Sequence, residues 1–232
     1  MNVMILAAGR GERLRPLTEG TPKPLVEVGG QTLLGRHLAR LAAAGFRRSV
    51  INVSHLGEQI IRRFDPGFGA DAPQGMAIEW SREAEPLETA GGIAQARALL
   101  GEEPFLLVNS DIWCDFDFSA FRGFQLGKRL SHLVLVPNPP WHPPGDFTLN
   151  QGRIGNAPSP RYTYAGISVL SPRLVAGIAA GQKAQLAPLW RAAAERGEVS
   201  GELYEGYWND VGTPERLQDL TARVEKHEAE RS

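Results

Sequence analysis

The chain opens with an apolar run, Val3 to Leu6, that passes without a polar interval into Ala7-Ala8-Gly9-Arg10-Gly11-Glu12-Arg13. Few folds are compatible with such a start. Four apolar residues closed by small residues and glycines read as a buried strand ending in a tight loop, the first half of a strand–helix unit. Gly9 and Gly11 leave backbone N–H groups open to close approach by a phosphate. Arg13 adds a forked cation, and Lys23, held between Pro22 and Pro24, a mobile point charge. Together they predict a cradle for a nucleoside triphosphate. Two better-known glycine loops do not fit. A P-loop needs Lys-Ser or Lys-Thr directly after its second glycine, whereas Gly11 precedes Glu12 and Arg13; a dinucleotide fingerprint needs a third glycine where Leu14 stands.

The same alternation continues along the chain. Leu33 to Ala44 has helical apolar spacing and stops at Gly45, a natural helix end. Ser49–Val53 reads as a strand, followed by a short helix through Ile60 and Phe64, and Met76–Trp80 as another strand. Ile93–Leu100 predicts a helix entered directly after Gly91-Gly92. Phe105–Val108 is a buried strand that delivers Asn109 and Asp111 at its carboxyl end, and Leu133–Val136 is a further strand. Residues 137–160, with seven prolines, three glycines and three asparagines, predict an irregular excursion with a hairpin around Phe147–Ile154. Tyr162–Leu170 returns as a strand, Leu186–Glu195 is helical, and Pro214–Val224 closes the fold. The expectation is one α/β domain over residues 1–224. It is Rossmann-like, with a mixed, mostly parallel sheet, helices on both faces and the site at the carboxyl ends of the strands. Residues 225–232 are expected to be a frayed polar tail.

Composition narrows the partners. At 232 residues, 42% hydrophobic and 22% charged, the chain can bury a substantial core. A net charge of −1 without a basic block argues against a nucleic-acid footprint. Cys114, the single cysteine, excludes an internal disulfide and reads as a core thiol. No apolar run approaches membrane-spanning length, and no charged region precedes an apolar stretch at the N-terminus; a cytoplasmic monomer is expected. The histidines show no metal-ligand spacing, and Trp80, Trp141 and Trp190 read as packing or loop anchors.

The opening motif through Thr21-Pro22-Lys23-Pro24-Leu25 resembles the signature of the sugar nucleotidyltransferase family. So do Glu85-Pro86-Leu87-Glu88-Thr89-Ala90-Gly91-Gly92-Ile93, Val108-Asn109-Ser110-Asp111-Ile112-Trp113, Gly145-Asp146-Phe147, Tyr164–Leu170 and Trp208-Asn209-Asp210-Val211-Gly212-Thr213, in family order. The later blocks favour the branch that uridylylates N-acetylmuramate 1-phosphate in cell-wall recycling. The resemblance implies transfer of a uridylyl group from UTP to a sugar 1-phosphate with Mg²⁺ as cofactor. It implies nucleotide contacts from Ala8, Gly9, Gly11, Glu12, Arg13, Lys23, Gly91 and Gly92. Arg13, Lys23 and Asp111 would be catalytic, Asp111 and Asp210 would hold the metal, and Asn109, Asp146, Gly166 and Glu202 would meet the sugar. Guanylyl or thymidylyl transfer to mannose or glucose 1-phosphate is the alternative within the family, and a catalytically silent sensor the alternative outside it. The branch usually carries a Lys directly before Leu-Ala-Pro-Leu. Here Gln185 stands there and Lys183 lies two residues upstream.

Overall fold

The computed structural model describes residues 1–65 and 71–230. The opening apolar run is strand β1 (Val3–Leu6). It is followed by a two-rung hairpin, β2 (Glu27–Val28) and β3 (Gln31–Thr32). Thr32 caps helix α1 (Leu33–Ala43) by accepting a hydrogen bond from the Gly35 N–H. Strand β4 (Arg48–Val53), helix α2 (Gly57–Phe64) and strand β5 (Ala77–Arg82) come next. Helix α3 (Glu88–Leu100) leads to β6 (Phe105–Asn109) and β7 (Ile112–Cys114). Then come β8 (Ser131–Val136), the hairpin β9 (Thr148–Asn150) and β10 (Arg153–Gly155), and β11 (Thr163–Leu170). Helix α4 (Leu186–Glu195), β12 (Val199–Leu203), β13 (Trp208–Asp210) and α5 (Pro214–Ala229) complete the chain.

Nine strands form one sheet in the order β5-β4-β1-β6-β11-β8-β12-β10-β9. The first four are mutually parallel, as their helical crossovers require. From β11 onward the neighbours run antiparallel, apart from the parallel β8–β12 pair. The expected mixed α/β sheet is therefore present, its parallel half built by the N-terminal part of the chain.

Alternation along β1 sorts the core into two layers. Val3 and Ile5 pack with Leu34, Leu38 and Leu41 of α1 and with Ile60 and Phe64 of α2. Met4 packs on the other face with Ile93 and Ala96 of α3 and with Leu186 and Trp190 of α4. Burying each large aliphatic side chain contributes about 1.5–3 kcal/mol, so both faces are held strongly. A third, smaller cluster of Leu14, Val26, Val28, Trp113, Val211 and Leu220 ties the turn after the glycine loop to β7 and α5.

Two expectations are corrected. Helix α3 begins at Glu88 instead of Ile93, so Gly91 and Gly92 lie inside its first turns and are buried. Helix α5 continues past Val224, its expected end, to Ala229; residues 231–232 of the expected polar tail lie outside the described residues. No helix among the described residues is long and apolar enough to cross a membrane.

Candidate active site

The carboxyl ends of β1, β4, β5 and β6 open onto a cleft of about 750 Å³, where a parallel sheet of this kind places its ligands. Ala8, Gly9, Gly11, Glu12 and Arg13 line it, and Arg10 with them. Gly11 has φ 65° and starts a single helical turn over Glu12–Leu14. A Cβ on Gly11 would stand 3.0 Å from Thr18 Cγ2 and 3.1 Å from Lys23 Cβ. Glycine is therefore required for conformation and for space, and its absence of a side chain lets Lys23 pack against the loop. The Thr18 hydroxyl donates to the Gly11 carbonyl at 2.8 Å and closes this turn.

Lys23 is buried, and its Nζ donates to Asp111 Oδ2 at 2.6 Å, joining segments 88 residues apart. Burial disfavours the charge of Asp111, but the Lys23 ammonium, helped by Arg13, outweighs it and holds the carboxyl below its usual range. Arg10 and Arg13 make no ion pair among the described residues, so two cations face the cleft uncommitted.

Asp210 arrives from the far end of the sequence. Strand β13 pairs with β7 so that Asp210 stands opposite Ile112, and the Val211 N–H donates to the Asp111 carbonyl at 2.8 Å. Asp210 lies outside the cleft lining, while Gly212 is part of it. Its Oδ1 accepts from Arg216 Nη1 at 2.5 Å. Burial nevertheless raises its pKa; Arg216 opposes that rise and neighbouring Asp111 adds to it. Among the described residues no group of three or more His, Cys, Asp or Glu side chains converges on one point. Mg²⁺ commonly takes only one or two protein carboxylates and completes its shell with phosphates and water. Asp111, in the turn before β7, and Asp210, on the adjoining β13, stand beside a phosphate-sized cradle and fit that donor set.

Other predicted residues divide. Asn109 lines the cleft. Gly166, with φ 78°, is packed against it: a Cβ there would come within 3.1 Å of Asn109 Cβ and 2.9 Å of Ile112 Cγ2. Asp146 stands outside the lining. Its Oδ2 accepts from the Tyr164 N–H at 2.8 Å and its Oδ1 lies 3.2 Å from His142 Nε2. Glu202 is farther away, beside His132 at 3.6 Å, and does not line the cleft. Gly91 and Gly92 do not line it either. A Cβ on Gly91 would overlap the Gln182 carbonyl, and one on Gly92 would stand 2.6 Å from Glu83 Oε1. These glycines allow α3 to pack closely, while Glu88 and Thr89 of its first turn reach the cleft. Glu88 has φ 62°, a strained conformation for a residue with a side chain.

Sequence reasoning singled out neither Asn52 nor Glu83. Both are buried and line the cleft. Asn52 Oδ1 accepts from the Ala7 N–H at 2.9 Å, and its Nδ2 donates to Glu83 Oε1 at 2.7 Å. Glu83 Oε2 accepts from the Leu87 N–H at 2.9 Å. This bridge ties the glycine loop to the start of α3. The available signal was Asn52 itself, a polar residue inside an apolar strand near its carboxyl end. Lys183 also reaches the cleft, 3.8 Å from Glu88.

The nucleotidyl transferase family model matches residues 2–147. The chain is 46% identical to N-acetylmuramate alpha-1-phosphate uridylyltransferase of Neisseria meningitidis serogroup B, over 96% of this chain and 97% of that one. It is 32% identical to the enzyme of that name from Caulobacter vibrioides, over 95% and 96%. It is also 32% identical to mannose-1-phosphate guanylyltransferase catalytic subunit beta of Danio rerio, over 92% of this chain and 62% of that one. Among solved structures, UDP-glucose pyrophosphorylase from Acinetobacter baumanii superposes with a TM-score of 0.79 at 16% identity, covering 96% of this chain and 92% of that one. The chain belongs to the nucleotidyl transferase family.

Proposed function

We propose that this member of the nucleotidyl transferase family transfers the uridylyl group of UTP to N-acetylmuramate α-1-phosphate, yielding the UDP-sugar and pyrophosphate. The observation that carries the reading is the Lys23–Asp111 ion pair set in a cleft with two uncommitted arginines. A cation and a carboxylate held at one point, facing space for a polyphosphate, suit a reaction between two polyanions. The choice of sugar rests on the likeness to the two N-acetylmuramate enzymes over nearly their whole length.

An oxygen of the sugar phosphate attacks the α-phosphorus of UTP. The bond from that phosphorus to its bridging oxygen breaks, and pyrophosphate leaves with the oxygen. The nucleophile is already an anion, so no general base is required. Alignment of the two substrates can remove about 7–11 kcal/mol of barrier. The glycine loop and Arg13 hold the β- and γ-phosphates, and Lys23 neutralises charge at the α-phosphate and the departing group. Bound Mg²⁺, held by Asp111 and Asp210, would supply further charge neutralisation. Glu83 is acceptor-only when ionised, which suits the N3–H of uracil. Gly91 and Gly92 serve the base indirectly, by fixing the turn at Glu88 and Thr89. Asn109 and Gly166 form the sugar end, with Asp146 on the adjoining loop. UTP is a cytoplasmic metabolite, so the reaction belongs in that compartment.

The test is pyrophosphate release measured with each of UTP, dTTP, GTP and CTP against N-acetylmuramate, N-acetylglucosamine, glucose and mannose 1-phosphates. The proposal predicts strong turnover for UTP with the muramate phosphate alone. Turnover confined to GTP with mannose 1-phosphate would replace the substrate assignment, and no turnover anywhere would overturn the reaction.

A further inference from the structure

Arg216 is used neither by the phosphate cradle nor by the transfer chemistry, yet it is 7% exposed and links the 210–212 stretch to the loop that carries Trp141. Its Nη1 donates to Asp210. Its guanidinium flanks Gly212, on the cleft wall, where Arg13 also approaches. Its Cζ lies 4.8 Å from the ring centroid of Trp141, which is 46% exposed. Among the described residues Trp141 is one of three large apolar side chains left exposed, and a planar cation against an indole face is a favourable arrangement.

Trp141 sits on a braced loop. The Asn138 side-chain amide donates to the Pro143 and Arg161 carbonyls at 2.9 and 3.0 Å, and the His142 N–H donates to the Pro139 carbonyl at 2.9 Å. His142 then meets Asp146, which holds the Tyr164 N–H. Four prolines between 139 and 144 stiffen the segment. A loop of this kind moves as a unit, so fixing Trp141 also fixes Asp146.

We propose that Arg216 is a positioning residue that sets the 137–147 loop in register with Asp210, coupling the sugar end of the site to the carboxylate at its phosphate end. The consequence for substrate rests on the function proposed above; the coupling itself does not. Lysine at 216 would keep the charge beside Asp210 but lose the planar group that lies against the indole.

Two measurements test this. In substrate-free protein, acrylamide quenching of Trp141, isolated by subtracting a Trp141→Phe variant, is expected to rise about twofold in Arg216→Lys and in Arg216→Ala. Unchanged quenching in a folded Arg216→Lys variant overturns the proposal. In steady-state kinetics, Arg216→Lys and Trp141→Ala are each expected to raise KM for the sugar 1-phosphate about three- to tenfold, with KM for UTP within about twofold of the parent. The double variant should be no worse than the weaker single one, because both remove one contact. Independent, multiplying effects, or a change confined to KM for UTP, contradict it. Increased quenching in a protein whose parent turns over no sugar phosphate would uphold the coupling and overturn the substrate assignment.

Discussion

Lys23 is the residue on which most of the site depends. Its ammonium keeps Asp111 ionised against burial, and its backbone setting between prolines holds it at the glycine loop. In Lys23→Met the Asp111 carboxylate loses its partner at the protein surface of the cleft. We expect kcat/KM to fall at least about a hundredfold, as for loss of a charge-assisted contact made in the transition state, with little recovery at saturating UTP. Stability changes with a defined sign. The folded-state pKa of Asp111 lies below its ordinary 3.8, so the pair stabilises the fold above that pH and the contribution fades as pH falls through the folded value. Urea unfolding should show Lys23→Met less stable than the parent by about 1–3 kcal/mol at pH 7, with the gap closing in strong acid. A gap that widens in acid would contradict the assignment. Arg13→Ala should cost about ten- to a hundredfold in kcat/KM with a weaker form of this pH signature, since Arg13 makes no ion pair among the described residues and only assists Lys23 at Asp111. That Lys23, Arg13 and Asp111 share one cleft was legible in the sequence, because a polyanion site calls for their charge types beside a glycine loop. Glu202 was not: its carboxylate type suits a sugar, but only the register of β12 beside β8 reveals that it neighbours His132.

At the scale of elements, the carboxylates are held by strands that have their own supports. His37 of α1 lies within 2.8 Å of the Ile112 carbonyl through Nε2, one residue beyond Asp111. Burial, with the charge of Arg36, lowers its pKa from 6.5 to about 4, so the folded state keeps it neutral. The unfolded chain takes up this proton first. Stability therefore rises with pH between about 4 and 6.5, and the parent should lose roughly 3 kcal/mol on going from pH 7 to pH 4 through this group. His37→Gln, which retains a donor, should show a shallower acid slope in the same unfolding series. Helix α3 offers a second test. A methyl on Gly91 has no room against the Gln182 carbonyl, so Gly91→Ala should destabilise the fold by about 1–3 kcal/mol and raise KM for UTP more than KM for the sugar phosphate. The reverse split would place α3 at the wrong substrate. The glycine pair was legible as something that mattered, but its role was not. Paired glycines at a helix start signal either an approaching ligand or an approaching backbone, and only the position of residues 182–184 decides between them.

For the whole molecule, the parallel half of the sheet was readable because each apolar strand is followed by a helix of fixed spacing, which leaves one handed way back to the sheet. The separate two-stranded sheet of β7 and β13 was not. Strands β7 and β13 are three residues each, too short to show a period, yet they bring Asp210 beside Asp111. That juxtaposition is a property of the assembled chain, with its ends drawn together by the cluster of Leu14, Trp113, Val211 and Leu220. The most direct test of the account is therefore product analysis by mass spectrometry, with UTP labelled by oxygen-18 at the α–β bridge and N-acetylmuramate α-1-phosphate as acceptor, for the parent and for Asp111→Asn. The account predicts UDP-N-acetylmuramate free of label, one pyrophosphate carrying it for each UDP-sugar formed, and loss of both products in the variant. UMP or UDP in place of the UDP-sugar, label retained on the sugar nucleotide, or undiminished product from Asp111→Asn would contradict it.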